Sequence, residues 1–225
     1  MKKALWFFAL VLLVAQVEAF AEKRPNMVVV LADDHAFEAI SAYGTYLKDF
    51  ARTPAIDRLA GEGMRFDNFT CANSICSPSR ASILTGQYSH KNGVLGLNGS
   101  INDDSPQYPV ELRKAGYQTW LVGKWHLRSQ PKGYDKHMVV KGQGKYFDPT
   151  FTGSEGTWQH KGYSTDVYTD VAMDWLKKRD KKKPFLLSLQ FKAPHHDYGH
   201  ASRYDELLAG EPIPEPPSLY EDVRN

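Results

Sequence analysis

Three apolar runs mark where buried strands are expected. Met27-Val28-Val29-Val30-Leu31 is a continuous, largely β-branched run of the kind carried by a strand buried on both faces. Tyr117-Gln118-Thr119-Trp120-Leu121-Val122 and Pro184-Phe185-Leu186-Leu187-Ser188-Leu189-Gln190-Phe191 predict two more strands. Between them the apolar spacing changes to a helical period. Thr53 to Ala60 opens with a capping threonine and a first-turn proline and closes at Gly61 or Gly63. Pro109 to Ala115 reads as a second helix with Gly116 as its stop. Ser164-Thr165-Asp166 opens a longer helix that turns Val167, Val171, Trp175 and Leu176 inward and ends in Lys177-Lys178-Arg179, cations that suit the negative end of the helix dipole. Met64 to Phe69 alternates and predicts a strand, with the leucines and phenylalanines of residues 53–69 in the core. Two stretches lack a period. Residues 88–106 read as an exposed loop in which His90 and Asn92 are cleft candidates, and residues 129–162 read as a long irregular excursion. Glu211 to Pro217 reads as an extended linker.

Composition adds bounds. The 225 residues are 42% apolar and 24% charged with a formal charge of +2, an ordinary globular balance that offers no footprint for nucleic acid. Met1-Lys2-Lys3 and the apolar run Ala4 to Ala15 have the pattern of a secretory signal spanning residues 1–21, which predicts a secreted or periplasmic protein. The run is too short for a stable membrane span. Cys71 and Cys76 are the only cysteines, so this is no disulfide scaffold. An export compartment permits a bridge between them; a bridge would consume Cys76, so pairing and chemistry at Cys76 exclude each other.

Candidate chemistry gathers on Cys76. In Cys76-Ser77-Pro78-Ser79-Arg80, Ser77 fits an N-cap, Pro78 the first helical position, and Gly86 a stop two turns later. Cys76 then sits just ahead of a helix, where unpaired N–H groups favour an anion, and Arg80 adds a fixed cation. Asp33-Asp34 closes the first strand, where ligands of open α/β sheets collect. As hard oxygen donors they suit Ca²⁺ or Mg²⁺; as local structure they suit a turn or a cap. After the second strand come Gly123-Lys124-Trp125-His126, in which Lys124 and His126 share a side if the chain stays extended. The third ends in Ala193-Pro194-His195-His196, with either histidine available as a proton carrier.

Cys76-Ser77-Pro78-Ser79-Arg80 followed by Leu84-Thr85-Gly86 resembles the signature of type I sulfatases of the alkaline-phosphatase superfamily. Asp33-Asp34, the Thr-Pro-x-Ile-Asp-x-Leu-Ala pattern from Thr53, Gly123-Lys124-x-His126 and Ala193-Pro194-His195 are similar to further segments of that family. The resemblance implies an alkaline-phosphatase-like α/β fold, a mixed, mostly parallel sheet flanked by helices. It implies a sulfuric ester hydrolase in which a maturation enzyme converts Cys76 to formylglycine, Asp33, Asp34 and Cys76 hold Ca²⁺ in preference to Mg²⁺, and Arg80, Lys124, His126 and His195 serve the sulfate. Asp197 stands where the family's proline is expected, which leaves His196 as a rival to His195. A sulfated sugar of the N-acetylglucosamine-6-sulfate type is the implied substrate, on which the aromatic residues of 129–162 either stack or do not, packing instead beneath their own loop. The alternatives are a phosphate or phosphonate ester hydrolase of the same superfamily and a non-catalytic secreted glycan-binding protein. The family's later metal ligands and a further lysine are not visible, so residues 22–225 read as the N-terminal part of a catalytic domain, truncated before its C-terminal part.

Overall fold

The structure is a computed structural model that describes residues 24–221; the expected signal, residues 1–21, lies outside them. Six strands form one sheet, β1 (Met27–Asp33), β2 (Gln118–Lys124), β3 (Lys136–Val140), β4 (Thr150–Gly153), β5 (Gly156–Gln159) and β6 (Phe185–Pro194). Their order is β1-β6-β2-β3-β4-β5. The first four in that order are parallel, and β4 and β5 continue as an antiparallel hairpin. The helices are α1 (Pro54–Glu62), α2 (Cys76–Thr85), α3 (Ser89–Asn92), α4 (Tyr108–Lys114) and α5 (Ser164–Lys178).

Alternation along β2 and β6 splits the core in two. Trp120, Val122, Leu187 and Leu189 face Val167, Tyr168 and Ala172 of α5, while Leu121 and Leu186 face Ala81 and Leu84 of α2 with Val94, Trp125 and Tyr134. Full burial of each leucine contributes about 1.5–3 kcal/mol, so α2 is held to the sheet by the face opposite its chemistry. Gly123 permits the tightest approach. It has φ +110°, and a Cβ there would overlap the Gln190 carbonyl of the neighbouring strand.

Three sequence expectations need correction. β1 is an edge strand whose exposure alternates, with Val28 and Val30 more than half exposed, because no described element covers that face. Met64 to Phe69 forms no strand: it finds no partner for its backbone, and Leu59, Phe66 and Phe69 lie exposed instead of in the core. Residues 129–162 are not irregular, since they contain β3, β4 and β5. Their aromatic rings mostly pack: Tyr134, Tyr146 and Phe151 are buried, and Trp158 leans on the core, while Phe147 is exposed.

Candidate active site

Parallel strands present their carboxyl ends on one side. β1 therefore delivers Asp33, β2 Lys124 and β6 His195 to a common edge, and α2 brings Cys76 and Arg80 across it. The helix begins two residues earlier than expected, with Ile75 at the N-cap and Cys76 as the first helical residue. Pro78 is tolerated two residues further in because all first-turn N–H groups lack intrahelical acceptors. Ser77 does not cap. Its buried hydroxyl donates to the carbonyls of His126 and Leu97, tying α2 to the loop after β2. Gly86 ends the helix in the left-handed region, its N–H donating to the Ser82 carbonyl at 2.8 Å.

One buried carboxylate organises the cations. Arg80 donates to Asp33 Oδ1 at 3.1 Å, and Lys124 Nζ donates to Asp33 Oδ2. Arg80 also donates through Nη1 to the Lys124 carbonyl and to Gln190 Oε1, each at 2.7 Å. Lys124 reaches Gln143 Oε1 and lies 3.8 Å from Cys76 Sγ. Burial alone would push the Asp33 carboxyl up, but Lys124 and Arg80 together hold it below its usual value. Burial lowers the Lys124 ammonium, with Asp33 opposing. Burial also raises the Cys76 thiol despite Lys124, so at neutral pH it is a protonated, weak nucleophile.

Cys76 and Cys71 are both free thiols, Cys71 exposed with its sulfur 3.4 Å from Ser79 Oγ. One donor atom each from Asp33, Cys76 and His195 falls within 4.8 Å of the others. Asp34 lies outside that trio, its carboxylate exposed and 3.6 Å from His195 Nε2. The two adjacent histidines separate cleanly: His195 is 3% exposed, whereas the side chain of His196 is 67% exposed and turned to Asp197. His126 is not placed by strand alternation. β2 ends at Lys124, and His126 enters the left-handed region at φ +52°, where it feels Lys124, Arg80, Asp33 and His195. Burial first, then Lys124 and Arg80, lower its imidazole to about 4, so it is neutral at pH 7. Asp34 at φ +61°, directly after β1, and Asp197 at φ +75°, in the loop beyond β6, also lie in this sparsely populated region, which gathers at sites where geometry outranks backbone comfort.

The cluster thus unites Asp33, Cys76, Arg80, Lys124, His126 and His195, with Asp34 at its rim. His90 and Asn92 stay out of it. His90 is exposed and stacked on Tyr88, and buried Asn92 braces the turn after α2 through the Gln87 carbonyl and the Val94 N–H. Two members escaped sequence reasoning, Gln190 and Gln143. Gln190 left a trace, an amide inside the apolar run of β6, which a buried strand tolerates only with partners. Gln143, flanked by Gly142 and Gly144 at positive φ, left none.

The chain matches the Sulfatase family over residues 25–212. It is 43% identical over 203 residues to an N-acetylglucosamine-6-O-sulfatase of Bacteroides thetaiotaomicron, covering 89% of this chain and 36% of that protein. A solved structure of a protein in complex with its substrate D-glucosamine-2-N,6-O-disulfate superposes with a TM-score of 0.84 at 42% identity, covering 89% of this chain and 40% of that one. A phosphonate monoester hydrolase of Agrobacterium radiobacter shares the fold at a TM-score of 0.65 and 18% identity, covering 85% of this chain and 45% of that one. The chain therefore spans less than half the length of each of these relatives. The family match over most of its residues, with the expected alkaline-phosphatase-like sheet beneath the site, shows that the chain belongs to the sulfatase family.

Proposed function

We propose that this chain is the N-terminal part, residues 22–225, of the catalytic domain of a secreted or periplasmic sulfuric ester hydrolase acting on a 6-O-sulfated glucosamine. The observation that carries the reading is the single buried cluster in which Asp33, Arg80, Lys124 and His195 surround Cys76. The raised thiol argues against a thiolate mechanism and fits a residue whose sulfur is replaced during maturation. Formylglycine at Cys76 would supply, as its hydrate, one hydroxyl to attack sulfur and a second whose deprotonation restores the aldehyde and releases sulfate.

The residues present fit Ca²⁺ on one side of its shell. As a thiol set, Asp33, Cys76 and His195 mix oxygen, sulfur and nitrogen; with oxygen at position 76 and Asp34 alongside, the donors become the hard oxygens that Ca²⁺ takes. Asp33, Asp34 and the group at position 76 would hold the ion, which supplies positive charge to a sulfate oxygen. Arg80, fixed by Asp33, Gln190 and the Lys124 carbonyl, keeps the metal-side carboxylate ionised and aimed. Lys124, whose ammonium lies beside the sulfur, neutralises the sulfate. In this reading His195 protonates the departing alkoxide, and neutral His126 accepts a proton or donates a hydrogen bond.

In the longer polypeptide that contains this chain, the Cys76 peptide from the native host is expected to carry an aldehyde mass. Cys76→Ala is expected to abolish sulfate release from 6-O-sulfated N-acetylglucosamine while leaving the fold intact. An unmodified thiol together with retained turnover in the alanine variant would overturn the reading. Matched sulfate and phosphonate esters separate it from the superfamily alternative, which the 18% likeness supports at the level of fold alone.

A further inference from the structure

Lys192, near the carboxyl end of β6, and His195, just beyond it, are both buried, at 2% and 3% exposure. Lys192 forms no ion pair among the described residues. A lysine so deeply buried without a carboxylate is rare. In place of an anion, its ammonium lies over the ring of Tyr146, 4.7 Å from the centroid. The negative face of an aromatic ring attracts a cation more strongly once water is excluded, so the pair is held by the same burial that makes it costly.

Tyr146 joins this lysine to the site. Its hydroxyl donates to the His195 carbonyl, and the His195 N–H donates to the Lys192 carbonyl at 3.1 Å. The three residues thus close a circuit of contacts through the backbone of His195, the residue whose imidazole meets Asp33 and Cys76. The circuit is itself supported. Tyr146 stacks on Tyr163 with centroids 6.3 Å apart and planes 6° from parallel, and its carbonyl accepts from the Ser164 N–H at the start of α5 at 2.7 Å. The Tyr163 hydroxyl donates to the Gly199 carbonyl at 3.2 Å, and Gly199 is pressed against Tyr146 so closely that a Cβ there would lie 2.7 Å from the ring. Tyr146 belongs to the loop between β3 and β4, three residues after Gln143, which accepts from Lys124. One loop therefore touches both the ammonium beside Cys76 and the backbone that carries the imidazole.

We propose that Lys192 and Tyr146 are positioning residues, a cation–ring clamp that fixes the backbone of His195 and so sets where its imidazole stands against position 76. The inference rests on the sulfatase reading and adds to it what holds the proton donor in place. An imidazole turns about only two side-chain bonds, so its reach is decided by where its Cα is held. Proton transfer to a departing oxygen demands hydrogen-bond distance, and a displacement of about 1 Å costs up to a hundredfold in rate. Lys192 acts through the ring, the ring through its hydroxyl, and the hydroxyl on the carbonyl of His195.

The test uses the matured full-length protein, with 6-O-sulfo-N-acetylglucosamine as substrate and imidazole NMR signals from selective histidine labelling. Tyr146→Phe removes the hydroxyl and keeps the ring, Lys192→Met removes the charge and keeps the length, and Lys192→Arg keeps a cation over the ring. Tyr146→Phe and Lys192→Met should each lower kcat about tenfold or more with KM within about twofold of wild type, and Lys192→Arg should restore most of kcat. In the first two variants the His195 signals should broaden or double, while those of His137 on β3 stay as in wild type. Unchanged kcat in both variants, a loss carried by KM, or His195 signals that stay put or change only together with those of His137 overturns the clamp and leaves sulfate-ester hydrolysis standing. His195 signals that respond as expected in a matured protein releasing no sulfate keep the clamp and overturn the hydrolase reading.

Discussion

At the scale of single residues, the site depends on groups that hold other groups. Gln190 is 2% exposed and accepts from Arg80, whose Nε already lacks a partner among the described residues. Gln190→Ala should strip a second contact from a buried guanidinium and cost about 1–3 kcal/mol, read from urea unfolding. Gln190→Glu would retain an acceptor and is expected to cost less. His126 makes a separate prediction. Its imidazole is lowered from 6.5 to about 4 in the folded protein, so between those values the unfolded chain binds the extra proton. Stability should therefore be fully present above pH 6.5 and fall as pH is lowered toward 4. His126→Asn should lack this part of the slope when unfolding free energy is followed across that window.

Among elements, α2 and the β2–β6 pair are what bring these residues together. α2 carries Cys76 and Arg80 at one end while Ala81 and Leu84 dock on Leu121 and Leu186. β2 and β6 lie close because residue 123 has no side chain; Gly123→Ala would drive a Cβ into the Gln190 carbonyl at a φ that L-residues avoid. A loss of about 3 kcal/mol or more is expected, with displacement of both Lys124 and Gln190. Thermal melts of the variant against wild type provide the measurement. The elements that the sequence showed poorly are also physical in origin. β3, β4 and β5 have only four or five residues each, too short for a period to stand out, and their pairing supplies the order their composition does not. Met64 to Phe69 shows the reverse: alternation without a neighbouring strand makes no sheet.

For the whole molecule, the chain's share of its relatives, 36% to 40%, frames what it does alone. Val28, Val30, Leu59, Phe66 and Phe69 are exposed, and β1 has a partner on one side among the described residues. In the proposed site, Asp33, Asp34 and position 76 would supply only part of a Ca²⁺ shell. Residues 22–225 by themselves are therefore expected to show weak or no sulfate release. The longer polypeptide should release sulfate under the same assay, and equal rates from both would refute the partial-domain reading. No helix among the described residues is long and apolar enough to cross a membrane.

The sequence by itself determined the main strands, four of the five α-helices among the described residues and the residue types of the site, because burial, capping and turn chemistry act over a few neighbouring positions. It also carried the family resemblance, in short stretches such as Cys76 to Arg80. Only the tertiary structure decided that His195 turns in and His196 out, that His126 arrives through a left-handed turn, and that Gln143 and Gln190 brace the cations. Those outcomes depend on which groups meet across the sheet: residues as far apart as Asp33, Arg80, Lys124 and Gln190 share one set of hydrogen bonds, and no local pattern records a partner that distant along the chain.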